Sequence, residues 1–228
     1  LNLALSDPDW GAACQLRSQL YGWFSTVFAR EMEPGAMALC QGGGADHLLA
    51  VFKALGLGRQ ADAVAAVFKA WAGHPDAPLE NAADFAALFL LEGRAAPIPY
   101  ASHYLEEGGQ LYGEPARLMR AFLESSQLRL DAQFKEPEDH IAVILAALAR
   151  WSREGGRAND VAACAGEQAA YLDAALMPWV AHWQALVDGV DTLAFRFYPA
   201  VAGLLVAFLH LDRDYLRSFE AGGKKGLK

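Results

Sequence analysis

Ile141-Ala142-Val143-Ile144-Leu145-Ala146-Ala147-Leu148-Ala149-Arg150-Trp151 carries its large apolar residues at steps of three and four: Ile141, Ile144, Leu145, Leu148 and Trp151. That is the period of one helix face. Working outward, Val64, Val67, Phe68 and Trp71 repeat it, and so do Leu16, Leu20, Trp23, Phe24, Val27 and Phe28. No stretch of strand length alternates cleanly between apolar and polar residues. The expected fold is all-α.

Helix breakers divide the chain into about nine expected helices. The first runs from Asp9 to Glu31 and stops before Pro34-Gly35. A short helix follows Gly42-Gly43-Gly44, with Asp46 in its first turn, and Gly56-Leu57-Gly58 separates it from Arg59–Ala72. Leu79–Leu91, Glu114–Ser126, Pro137–Arg153, Asp160–Met177, Pro178–Val187 and Thr192–Leu211 complete the set. Between Glu92 and Gly113 lies a loop of 22 residues, long enough to be functional or to hold a short helical turn. Leu128–Glu136 has no helical stripe and reads as a hinge. The expected organisation is therefore an N-terminal helical subdomain (1–130), a C-terminal one (131–212) and a tail (213–228). A hinge of this kind permits domain exchange between protomers.

The 228 residues are 54% hydrophobic and 20% charged, with six Trp and twelve Phe, which excludes disorder. A net charge of −8 argues against nucleic acid as a partner, since phosphate binding needs clustered Lys and Arg. Three cysteines, Cys14, Cys40 and Cys164, with no C-x-x-C, form neither a disulfide framework nor a zinc site and suit a reducing compartment. Leu1 to Trp10 includes Asp7 and Asp9 and has no basic region or long apolar run, so no secretory signal is expected. The longest uncharged run, Phe197–Leu211, is 15 residues, short of a membrane span. A cytosolic protein is expected.

Catalytic patterns are weak. Gly56-x-Gly58-x-x-Ala61 resembles a dinucleotide fingerprint but follows a helix, whereas that chemistry needs a strand before the turn. No P-loop is present. The six histidines (His47, His74, His103, His140, His182, His210) include no pair spaced three or four apart, so no metal centre is expected. Ser102 stands in no nucleophile elbow. Two segments stand out. Pro97-Ile98-Pro99-Tyr100-Ala101-Ser102-His103-Tyr104 is an aromatic and hydroxyl cluster inside the long loop, fit either to anchor it by ring burial or to form a binding surface. Glu136-Pro137-Glu138-Asp139-His140 reads as a helix start, with carboxylates complementing the dipole and Pro137 at the first position. His140 is the exception there, because a cation in the first turn opposes the dipole.

Three quoted stretches carry a family resemblance. Arg17-Ser18-Gln19-Leu20-Tyr21-Gly22-Trp23-Phe24 is similar to an L-Y-x-x-[FL] first-helix pattern. Asp84-Phe85-Ala86-Ala87-Leu88-Phe89 followed by Pro99-Tyr100-Ala101-Ser102-His103-Tyr104 is similar to D-[aromatic]-x-x-L-F…P-Y-x-S-x-Y. Glu136-Pro137-Glu138-Asp139-His140-Ile141 matches E-P-x-D-H-[IL]. Together, in order, they resemble the TorD/DmsD family of cytosolic molybdoenzyme-maturation chaperones. The resemblance implies a helical fold of two subdomains and no enzymatic turnover. The implied partner is an apo-molybdoenzyme of the trimethylamine N-oxide reductase type, bound with its twin-arginine signal peptide until the molybdenum cofactor is inserted. Other molybdoreductases are alternative clients, and a helical nucleotide-binding hydrolase is the alternative from another class. Monomer and homodimer are both compatible, domain-swapped forms included. No cofactor is implied; weak GTP binding comes with the family alone, without a motif here.

Site roles follow from the same resemblance. Asp139 and His140, with Glu136, match the signal-peptide-binding hinge pair. Asp139 is expected to make a charge contact, and His140 to orient it or tune its charge near neutral pH. Replacing Asp139 and His140 by alanine is expected to weaken leader binding without changing helicity or melting. Tyr100, Ser102 and Tyr104 belong to a binding groove or its scaffold. Phe85, Leu88 and Phe89 match apolar positions near the leader pocket, with ordinary core packing as the other possibility.

Overall fold

A computed structural model describes residues 9–91, 96–126 and 136–222 of the chain. Among these, eleven α-helices follow one another: α1 (Trp10–Ala29), α2 (Pro34–Gln41), α3 (Asp46–Ala54), α4 (Gly58–Ala72), α5 (Ala77–Phe89), α6 (Ala101–Leu105), α7 (Glu114–Ser125), α8 (Ile141–Gly155), α9 (Val161–Ala175), α10 (Val180–Asp188) and α11 (Phe197–Gly222). A 3-10 turn, Glu107–Gly109, precedes α7. The only pairing of extended backbone among the described residues is one isolated antiparallel bridge, Tyr100 with His140. The protein is all-α, and no described helix is long and apolar enough to cross a membrane.

The helix boundaries depart from the expected ones at three informative places. Helix α1 stops before Pro34-Gly35 as expected, but these residues then open α2, a helix not expected, because a proline lacks only an N–H that the first turn does not use. Met37 is the one buried residue of α2, so the helix leaves no stripe to read. Helix α8 starts at Ile141, not at Pro137, because Pro137–His140 closes a turn (His140 N–H to the Pro137 carbonyl, 3.0 Å) and His140 itself is extended. Helix α11 starts at Phe197 and continues past Leu211 to Gly222. The charges beginning at Asp212 do not end it, since Asp212 is itself buried. The long loop holds α6 and the 3-10 turn. Of the expected hinge, all but Glu136 lies outside the described residues.

The chain makes two compact units, each assembled from separate stretches. Of the described residues, the first takes in 30–91, 96–98 and 182–208, and the second 9–29, 99–126, 136–181 and 209–222. The first unit has an aromatic core. Trp71 lies against Phe68, Phe195 and Phe197, while Phe85 and Phe89 meet Tyr198 edge-on. The Tyr198 hydroxyl accepts from Asn81 Nδ2 (3.1 Å). Buried Asp84 accepts from the backbone N–H groups of Ala194 (2.8 Å) and Phe195 (2.7 Å), fixing the approach to α11. Burial pushes the Asp84 carboxyl above its ordinary range, and those two N–H groups oppose the shift.

In the second unit α1 and α8 run antiparallel, because hydrogen bonds join opposite ends of the pair. Trp10 Nε1 donates to the Gly155 carbonyl (2.7 Å) and Ser25 Oγ to the Ala142 carbonyl (2.8 Å). Gly155 is required by packing: a Cβ there would meet Gln168 Nε2 at 2.7 Å and Cys164 Sγ at 2.9 Å. A buried polar network ties α1 to α9 and to the end of α11. Arg17 forks onto Asp212 (2.6 and 3.0 Å) and donates to Gln168 Oε1 (2.7 Å), and Tyr21 donates to Asp212 Oδ2 (2.6 Å). Burial alone would lower the Arg17 pKa, but the adjacent Asp212 charge outweighs it and raises it. Breaking such a pair strands a charge in the interior. Arg17→Met is expected to destabilise the fold by about 3 kcal/mol or more, read as a lower urea midpoint; an unchanged midpoint would refute that role.

Candidate functional site

Two distant motifs meet in the second unit through their backbones. The Ile141 N–H donates to the Pro99 carbonyl (2.8 Å), and the Ala101 N–H to the Asp139 carbonyl (3.2 Å). Side chains reinforce this bridge. The Tyr100 hydroxyl donates to Glu136 Oε2 (2.6 Å), and the Tyr100 and His140 rings meet edge to face at 5.0 Å. Burial first, and the Glu136 contact second, push the Tyr100 hydroxyl pKa up, so it remains a donor. The Ser102 N–H donates to Asp139 Oδ2 (2.7 Å), while Ser102 Oγ accepts from the Gly113 N–H (3.2 Å). Tyr104 stacks on Trp179, with ring centres 5.2 Å apart and planes within 15°.

Asp139 is the unusual member. It is 1% exposed, and its Oδ1 has no hydrogen-bond partner among the described residues. It forms part of the lining of a cleft of about 500 Å³. Ala101, Leu105, Leu118, Met119, Phe122, Ile144 and Tyr171 make most of the remaining wall, with Glu106 and Glu114 as further carboxylates. Leu105 and Leu118 are exposed. Glu138 lies outside the lining and is held by Arg120 through two hydrogen bonds (2.6 and 2.9 Å). The cleft is thus apolar, edged by carboxylates, with one buried oxygen lacking a donor. It suits a ligand bearing a cation or a strong donor on an apolar body.

Of the two roles expected for His140, tuning charge near neutral pH does not fit its surroundings. The residue caps α8: its backbone is extended (φ −61°, ψ 136°) and its Nδ1 accepts the Ala142 N–H at 3.1 Å. An accepting Nδ1 carries no proton. Burial lowers the His140 pKa from 6.5 to about 3, so this group does not titrate near neutral pH. Nor are Asp139 and His140 stability-neutral. Replacing both by alanine removes a helix cap and leaves the Ser102 N–H without its acceptor, so melting is expected to fall.

Of the candidates read from sequence, Glu136, Asp139, His140, Tyr100, Ser102 and Tyr104 all belong to the second unit, and the first five are joined by the bonds above. Phe85, Leu88 and Phe89 are core of the first unit and line no part of the cleft. The α7 and α9 wall, Leu118, Met119, Phe122 and Tyr171, carries no motif. Its one sequence signal is that α7 combines a charged face with large apolar residues.

The buried cap gives a pH prediction. His140 binds a proton below pH 6.5 when unfolded but only near pH 3 when folded, so its contribution is complete above pH 6.5 and is lost as pH falls from 6.5 toward 3. At pH 5 the loss is about 2 kcal/mol. His140→Asn replaces the capping nitrogen by an oxygen that also accepts but does not titrate, and is expected to flatten urea midpoints over this range. An unaltered pH profile would contradict the buried neutral cap.

Residues 45–185 match the family model described as nitrate reductase delta subunit. The chain is similar to chaperone protein TorD of Psychrobacter sp. (strain PRwf-1), 36% identical over 214 residues, covering 92% of this chain and 96% of that protein. It is similar to chaperone protein TorD of Vibrio vulnificus (strain CMCP6), 32% identical over 207 residues, with coverages of 88% and 94%. Chaperone protein TorD of Shewanella pealeana (strain ATCC 700345 / ANG-SQ1) is 33% identical over 216 residues, with coverages of 90% and 91%. On residues that run through both units, the chain belongs to the nitrate reductase delta subunit family and, within it, with the TorD chaperones.

Proposed function

We propose that the protein is a maturation chaperone that binds the apo form of a molybdoenzyme of the trimethylamine N-oxide reductase type together with its twin-arginine signal peptide. Binding holds the client open for insertion of the molybdenum cofactor and delays export until that is done. The observation that supports this reading most directly is buried Asp139 in the lining of an apolar cleft, its Oδ1 without a donor among the described residues. A twin-arginine leader offers both complements, basic residues for the carboxylates and an apolar helix-prone stretch for Leu105, Leu118 and Phe122. Within the low-dielectric cleft a guanidinium on Asp139 is far stronger than the same pair in water. Glu136, Tyr100, Ser102 and His140 act as positioning residues: they hold the strand-like bridge that presents Asp139. The net charge of −8 adds a general attraction for a basic segment.

The test is calorimetric titration of a synthetic twin-arginine leader into the full chain and into Asp139→Asn. The amide still accepts from the Ser102 N–H but carries no charge, so melting is expected to stay close to that of the parent while leader affinity falls at least tenfold. Equal affinity for both proteins would overturn the assignment. Screening shortens the reach of the acidic surface, so affinity is expected to drop several-fold between low salt and 0.5 M salt. A panel of leaders from different molybdoreductases, titrated in the same way, identifies the client by rank.

A further inference from the structure

The carboxylates in and beside the Asp139 cleft are not alike. Glu114 pairs with Arg117, Glu138 is held by Arg120, and Glu136 accepts the Tyr100 hydroxyl. Glu106 and Asp139 both line the cleft, and neither meets a cation among the described residues. Each accepts one backbone N–H: Glu106 Oε1 from Glu114 (2.6 Å) and Asp139 Oδ2 from Ser102 (2.7 Å). The Glu106 side chain is confined as well, since it lies over Gly113, where a Cβ would collide with it. Asp139 is buried and Glu106 half-buried, so one stands deep in the cleft and the other nearer its rim.

Helix α6 separates the two. The Asp139 carbonyl and carboxylate take the N–H groups of Ala101 and Ser102 at its start. Glu106 is the residue after its end, and its own N–H returns to the Ser102 carbonyl (3.0 Å). Five residues at about 1.5 Å of rise each set these ends about 7 Å apart. Ala101 and Leu105, the first and last residues of α6, both line the cleft, so the helix lies along its wall with an uncompensated carboxylate at each end. The ligand chemistry follows. One guanidinium neutralises one end and leaves the other, and two cations crowded onto Asp139 would repel each other. Two neighbouring basic residues fit, because their Cα atoms are about 3.8 Å apart and their side chains leave the chain in different directions, one toward each end. The ends also differ in what they accept. Asp139 takes its cation away from water, which favours a weakly hydrated, forked guanidinium over a strongly hydrated ammonium; Glu106 at the rim accepts either.

We propose that Glu106 is a specificity residue of this cleft: a ligand with two neighbouring basic residues divides them between the ends of α6, an arginine at Asp139 and an arginine or lysine at Glu106. This division rests on the leader reading, and it makes the two arginines of the leader unequal.

The experiment is a set of double-mutant cycles. The synthetic leader, and two versions with neutral citrulline in place of one arginine or the other, are titrated by calorimetry into the full chain, Asp139→Asn and Glu106→Gln. The glutamine still accepts the Glu114 N–H, so melting is expected to stay close to that of the parent. The expected result is a crossed pattern. Citrulline at one position weakens binding to the parent at least tenfold and costs nothing further in Asp139→Asn. Citrulline at the other position costs about fivefold, the upper range for a pair open to solvent, and nothing further in Glu106→Gln. Lysine is expected to be costly at the position coupled to Asp139 and harmless at the one coupled to Glu106. If Asp139→Asn loses affinity but Glu106→Gln does not, or loses it equally for all three peptides, the division is overturned and the leader reading stands. If Asp139→Asn binds as tightly as the parent, or the parent binds none of the peptides, the leader reading falls and the division with it.

Discussion

One antiparallel bridge, Tyr100 opposite His140, the only one among the described residues, holds the candidate site together. Two backbone hydrogen bonds and the Asp139–Ser102 contact make it. On one side it lies within the long loop and starts α6; on the other it fixes the extended His140 from which α8 begins. Every residue that faces the cleft from α6 or α8 inherits its place from that junction. In a protein built otherwise from helices, such a bridge is a local exception. It supplies what a helix cannot: a point where two segments separated by almost forty positions are held in fixed register, so that a side chain from one is braced by the backbone of the other.

Three buried aspartates make the comparison that singles out the site. Asp84 satisfies both oxygens with backbone N–H groups, and Asp212 satisfies both with Arg17 and Tyr21. These two complete their own surroundings and hold structure together. Asp139 is as deeply buried but satisfies one oxygen only. A buried polar atom left unpaired costs about 1–3 kcal/mol, which fold stability alone would favour removing. On the proposed reading, the difference between a satisfied and a half-satisfied carboxylate, more than depth or charge, separates the aspartate that binds from the two that hold structure.

How much of this could be read along the chain depends on where each signal lies. The stripes of α1, α4 and α8 were legible because burial of one face writes its period directly into the residues. The two motifs were legible as unusual, but not their union, since nothing in a linear sequence reports that Pro99 and Ile141 share a hydrogen bond. The start of α8 is not legible because Pro137 and the neighbouring carboxylates satisfy helix-start chemistry equally well four residues too early. His140 ends up as the cap because its neutral Nδ1 accepts an N–H, an option hidden when histidine is counted as a cation. The cleft wall was not legible. Leu118, Met119, Phe122 and Tyr171 differ from ordinary amphipathic positions only in lining the cleft, which is a property of the tertiary structure.

The half-satisfied carboxylate also bears on how a chaperone selects its client. Unfolded chains are rich in apolar stretches, and an apolar cleft alone discriminates poorly among them, since one methylene more or less changes affinity by about 1–3 kcal/mol. A buried oxygen awaiting a donor discriminates more sharply. An apolar segment without a donor covers the cleft, cuts Asp139 off from any other partner and binds against that cost. A segment that brings a guanidinium relieves it. On the proposed reading, the cleft therefore draws affinity from its apolar wall and selectivity from the one atom the wall leaves unpaired, and the bridge between Tyr100 and His140 exists to keep that atom in place.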